Sequence, residues 1–170
     1  MNLVQLVREK KTKIMGRWFQ VMLDAYPQQS RFLIGKDSDH FANPIGYTLN
    51  EALEEIFAVL AEEKPLADIQ LALERLVKLR AVQDTSAQEQ QGENPLAFLL
   101  ALKKIVREFC GAYQPGFTAT GELLALEDRM DQVLLQALAI FSHSKEKLLE
   151  LQVSEMRNKT FMLRRMAGEI

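Results

Sequence analysis

GELLALEDRMDQVLLQALAIFSHSKEKLLELQVSEMRNKTFMLRRMAG, residues 121–168, contains neither proline nor glycine between its terminal glycines. A stretch of this length without a breaker predicts one very long helix or two nearly collinear ones. Its first half is broadly apolar. Leu123, Leu126, Met130, Val133, Leu134, Ala137, Leu138 and Phe141 recur at helical spacing and define a central core helix. After Ser142-His143-Ser144 the pattern narrows. Leu149, Met156 and Leu163 occupy heptad position d, and Val153, Thr160 and Ala167 occupy a, a weak seam suited to a two-stranded coiled coil. The same stripe is equally compatible with packing back on its own domain.

Working outward, the remaining segments also read as helices. Leu3 to Ala25 carries Leu3, Val7, Ile14, Trp18 and Met22 on one face, and Gly16 within it suggests a close helix crossing. Residues 35–47, GKDSDHFANPIGY, break the periodicity and read as an ordered loop. Thr48-Leu-Asn-Glu51 matches a capping box and predicts a helix from there to about Glu63. Pro65 suits the first turn of the next helix, which runs to about Gln83 with Ile69, Leu73, Leu76, Val77 and Arg80 on one side. The polar run DTSAQEQQGE, 84–93, reads as a loop. Asn94-Pro95 then opens a helix that includes Leu96, Leu99, Leu100, Val106, Phe109 and Cys110.

Composition agrees. Among 170 residues, Leu, Ala, Glu and Gln number 72 against 23 for Val, Ile and Thr, which favours an all-α fold over a sandwich, a barrel or a doubly wound sheet. A net charge of -2 supplies no global field for nucleic acid. No run approaches the roughly 20 apolar residues that span a bilayer, so no membrane insertion is expected. A single cysteine, Cys110, excludes an internal disulfide and suits a cytoplasmic setting.

Chemistry is sparse. There is no phosphate-binding glycine loop and no zinc-protease motif. His40 and His143 stand apart; Asp37, Asp39 and His40 are too few oxygen donors for a calcium site. No metal, no cofactor and no catalytic residue is expected. Either histidine could in principle ligate haem, so a helical protein holding haem or another small apolar molecule is the alternative reading. The acidic run of Glu51, Glu54, Glu55, Glu62 and Glu63 and the basic run of Arg8, Lys10, Lys11 and Lys13 read first as solvated faces.

Phe41-Ala-Asn-Pro-Ile-Gly-Tyr-Thr48, preceded by Trp18, Tyr26-Pro27 and Phe32 and followed by Arg80-Ala-Val-Gln-Asp84, resembles the RsbRD-type N-terminal domain of RsbR-like stressosome proteins. The resemblance runs from about Arg17 to Arg157. It implies a globin-like bundle of about five to six helices that binds no haem, dimerises, and signals through a helical linker. The chain departs from the pattern by ending at Ile170, where an output domain would follow, and by its longer polar loop after Asp84. Within the motif, Pro44 and Gly46 are expected to set a tight turn held by the Asn43 side chain. Tyr47 and Trp18 would bring aromatic surface to the interior, and Arg80 requires a carboxylate or carbonyls.

These readings combine into a non-enzymatic, cytoplasmic regulatory module acting as a homodimer with an unknown regulatory protein partner. Residues 1–144 form the sensory body and 145–170 the extension for dimerisation and output, carried by Leu149, Val153, Met156, Thr160 and Leu163. Trp18, Tyr26, Asn43, Pro44, Gly46, Tyr47, Arg80, Gln83 and Asp84 are the candidates for a signal cleft.

Overall fold

The computed structural model describes residues 3–26, 31, 43–86, 94–113 and 121–168, with side chains omitted for 82–86, 112 and 113. Among these the elements are six α-helices: α1 (Leu3–Glu9), α2 (Lys11–Asp24), α3 (Pro44–Ala61), α4 (Gln70–Ser86), α5 (Ala97–Tyr113) and α6 (Gly121–Met166). A short 3-10 turn, Leu66–Ile69, leads into α4, so the helix expected from Pro65 begins with a tighter turn. The first expected helix is divided in two at Lys10, whose conformation starts α2 afresh. Of the loop expected at 35–47, residues 35–42, with Asp37, Asp39 and His40, lie outside the described residues, and 44–47 are helix rather than loop.

The core follows the apolar stripes. Ile14, Trp18 and Met22 of α2, Leu53, Ile56 and Leu60 of α3, Leu73, Leu76 and Val77 of α4, and Val106 of α5 are all buried. The strongest packing joins α4 to α6, α3 to α4 and α2 to α5. Gly16 does not mark a close crossing: a Cβ there would meet open space. Leu138, expected in the core, stands half exposed, as does Leu100, because each lies on the side of its helix away from the bundle.

Helix α6 is one unbroken element of 46 residues, about 69 Å long at 1.5 Å per residue. Its first half is tied to three other elements. Glu122 accepts the Leu3 backbone N–H of α1 at 2.7 Å. Arg129 donates to the Val59 and Lys64 carbonyls (3.1 and 2.5 Å), satisfying acceptors at and beyond the end of α3. Arg107 of α5 grips Glu127 with two bonds of 2.5 and 2.6 Å. Beyond these anchors the helix leaves the bundle: every residue from Leu149 to Gly168 is exposed.

Candidate functional site

Three of the motif residues gather at one corner, where α2 and α4 meet the start of α5. Trp18 is fully buried and donates its indole N–H to the Phe98 carbonyl at 2.7 Å, with the two rings 6.4 Å apart. Arg80, buried on α4, donates from Nε to the Pro95 carbonyl at 3.3 Å and lies over the Tyr26 ring at 4.9 Å. The expected carbonyl partner is therefore present, and an aromatic face supplements it. Tyr26 is buried too, and its hydroxyl finds no hydrogen-bond partner among the described residues.

A cavity of about 410 Å³ opens beside this corner. Val21, Met22, Ala25, Phe98 and Ala101 make its apolar wall, and Arg80 and Asn94 supply polar groups. Asn94 also accepts the Leu96 amide at 2.9 Å, and Ala97 donates to the Asn94 backbone carbonyl, which starts α5 two residues later than Pro95 suggests. The volume lies at the small end of the range for ligand pockets.

The other motif residues do something different. Pro44 and Gly46 are not a tight turn; they are the first turn of α3. Proline fits there because its missing N–H has no intrahelical partner to lose. Asn43 is the N-cap, its side chain accepting the Gly46 amide at 2.9 Å. Thr48 consequently does not open a capping box; it sits inside the helix and donates its hydroxyl to the Pro44 carbonyl at 2.8 Å. Tyr47 is exposed, not interior, because the helix turns it outward four residues after the cap. None of Asn43, Pro44, Gly46 and Tyr47 lines the cavity. Gln83 and Asp84 fall in the last turns of α4, with side chains outside the described residues.

Arg75 bridges Glu51 and Glu55 at 3.3 and 3.0 Å, across the surface between α3 and α4. Burial pushes the Cys110 thiol pKa up, away from the reactive thiolate. The described residues hold no cluster of three metal-ligating side chains. His143 is exposed on α6 and lines none of the cavities described, so nothing there favours a haem ligand. No helix among the described residues is long and apolar enough to cross a membrane.

Sequence reasoning missed the partners that complete this corner, the Phe98 and Pro95 carbonyls, since any residue type supplies a carbonyl. It also missed the Arg107–Glu127 pair, which joins two helices across a loop.

The described residues thus form an all-helical bundle with one projecting helix and a small cavity beside a buried arginine. The chain matches the model for the RsbT co-antagonist protein rsbRD N-terminal domain over residues 12–156, and it belongs to that family of stressosome-type regulatory domains. No curated protein and no solved structure matches it.

Proposed function

We propose that the protein is a non-enzymatic, cytoplasmic sensory module that works as a homodimer and hands its state to a protein partner. Residues 1–144 are the sensing body, and residues 145–170 are the output segment. The observation that carries this reading is the tail of α6. Val153 is 47% exposed, Met156 66% and Leu163 66%, on a stretch of helix with none of the other described elements against it. An apolar stripe of that kind on a soluble helix calls for a second surface. Input enters at the Arg80 corner: a ligand that prefers one packing of α2, α4 and α5 shifts the population, and α6, packed on α4, carries the change outward.

Light scattering on the full chain and on a chain ending at Lys147 tests the reading. The expected result is a dimer at about 50 μM for the full chain, within the range of ordinary weak association, and a monomer for the truncated one. A monomeric full chain overturns it.

A further inference from the structure

The cavity between α2 and the start of α5 carries its polar groups and its apolar wall on different residues. Arg80 and Asn94 are its polar lining, and no carboxylate side chain is among the residues that line it. Val21, Phe98 and Ala101 belong to the apolar wall, and the alanines at 25, 97 and 101 leave a slot where larger side chains would close the seam. Helix contacts are normally packed without voids larger than a water molecule. Here about 410 Å³ stays open, room for roughly a dozen atoms of water size at about 30 Å³ each.

Two separate features make this space positive. The Arg80 guanidinium, on a residue only 6% exposed, borders it. The N-terminus of α5, a helix of 17 residues, opens at it through Asn94, Pro95 and Ala97, and aligned peptide dipoles give that end about half a positive charge. A guanidinium is a planar fork of N–H donors that matches a carboxylate edge to edge, so it receives one alongside the Pro95 carbonyl and the Tyr26 ring that it already meets. At the same corner the buried Tyr26 hydroxyl keeps a hydrogen-bonding capacity that the described residues leave unused.

We infer that this cavity takes a small amphipathic monocarboxylate. Its carboxylate lies at Arg80 and the first turn of α5, and its apolar body, of about eight to ten heavy atoms, lies along Val21, Phe98 and Ala101. The inference rests on the reading that input enters at the Arg80 corner, and it names the chemistry of what enters. An inorganic anion would leave the apolar wall in water, and a neutral apolar molecule would gain nothing from the positive end. Only a molecule with both parts uses the whole lining.

Titration calorimetry on the full chain tests it with 3-phenylpropanoate as the probe, beside its neutral analogue 3-phenylpropan-1-ol and the bare headgroup, acetate. The expected dissociation constant of the acid is below about 1 mM, a modest demand for a ligand of its size, and at least about tenfold below those of the alcohol and of acetate. Arg80→Gln should bring the acid down to the level of the alcohol. Ala101→Leu, which fills the slot and leaves the charge alone, should weaken the acid at least about fivefold. No binding of the acid, an alcohol or acetate that binds as well, or undiminished binding in Ala101→Leu each overturns the inference. Where Arg80→Gln loses its helical dichroism, Ala101→Leu alone decides. Light scattering at saturating acid separates the ligand from the reading it rests on. Binding with an unchanged dimerisation constant upholds the ligand and removes the corner as the input, whereas a dimer that binds none of the compounds overturns the ligand and leaves the dimer standing.

Discussion

Residues 121–141 and 142–166 belong to one helix, yet different forces hold them. The first half buries Leu123, Leu126, Met130, Val133 and Ala137 and is anchored through Glu122, Glu127 and Arg129 to three other elements. Among the described residues, the second half beyond Leu149 makes only its own backbone bonds and local contacts such as the Thr160 hydroxyl on the Met156 carbonyl. A free peptide of that length is a marginal helix in water, because forming the first turn is unfavourable while adding residues to an existing turn is not. The body supplies that first turn. The tail's helix is thus an extension of the body's, and its apolar surface is a requirement the single chain leaves open.

The largest test of this dependence is Trp18→Ala. The substitution empties a fully buried site and removes the indole hydrogen bond to the Phe98 carbonyl, so the body should lose about 3–5 kcal/mol of stability, read by urea denaturation. Helical signal from body and tail should disappear in one transition. A tail whose dichroism outlasts the body would show that it does not depend on it.

A methionine pair on the same helix comes next. Met130→Ala should cost about 2–5 kcal/mol, because Met130 is buried against the core. Met156→Ala, under dilute conditions where the chain is monomeric, should change stability by no more than about 0.5 kcal/mol. At concentrations that favour pairing, only Met156→Ala should lower the association constant. Equal costs for both in the monomer would erase the distinction between the two halves.

This contrast was legible in part from sequence. The breaker-free run of 121–168 left one very long helix or two nearly collinear ones, and the structure has one; the narrowing of the apolar pattern after Ser142-His143-Ser144 falls where exposure begins to dominate. The heptad reading, however, began its seam at Leu149, where the apolar pattern narrows, although Leu124, Leu135 and Leu138 in the first half of the helix are exposed as well. Leu138 was assigned to the core because apolar residues surround the first half of the helix almost completely, and periodicity alone does not say which side is covered. At the other end of the molecule, Asn43-Pro44 carried a helix start as plainly as Thr48–Glu51 did. Both patterns are N-terminal signals, and the earlier one prevails because Asn43 caps the Gly46 amide and proline suits the first turn. Trp18 and Arg80 were recognisable as residues that need buried partners, but those partners are backbone carbonyls brought close by tertiary packing.

Acidity separates the two halves by a smaller margin. Glu127 is the one carboxylate buried among the described residues, and it lies in the anchored half of α6. Its hydrogen bonds to Arg107, aided by the guanidinium charge, hold its pKa below the usual carboxylate value, against the opposing effect of burial. In the unfolded chain a glutamate titrates near about 4.3. The folded state therefore binds this proton less readily, so the pair's stabilisation is complete above about pH 4.3 and drains away as pH falls through the lowered folded pKa. Arg107 is largely solvated, which keeps the contribution well below that of Met130. Glu127→Gln should accordingly flatten the fall in urea midpoint below about pH 4.3 while lowering the neutral-pH midpoint slightly. If the variant keeps the full acid slope of the parent, the ionised Glu127 is not an anchor of the body, and the first half of α6 is held by apolar packing together with the Glu122 and Arg129 contacts.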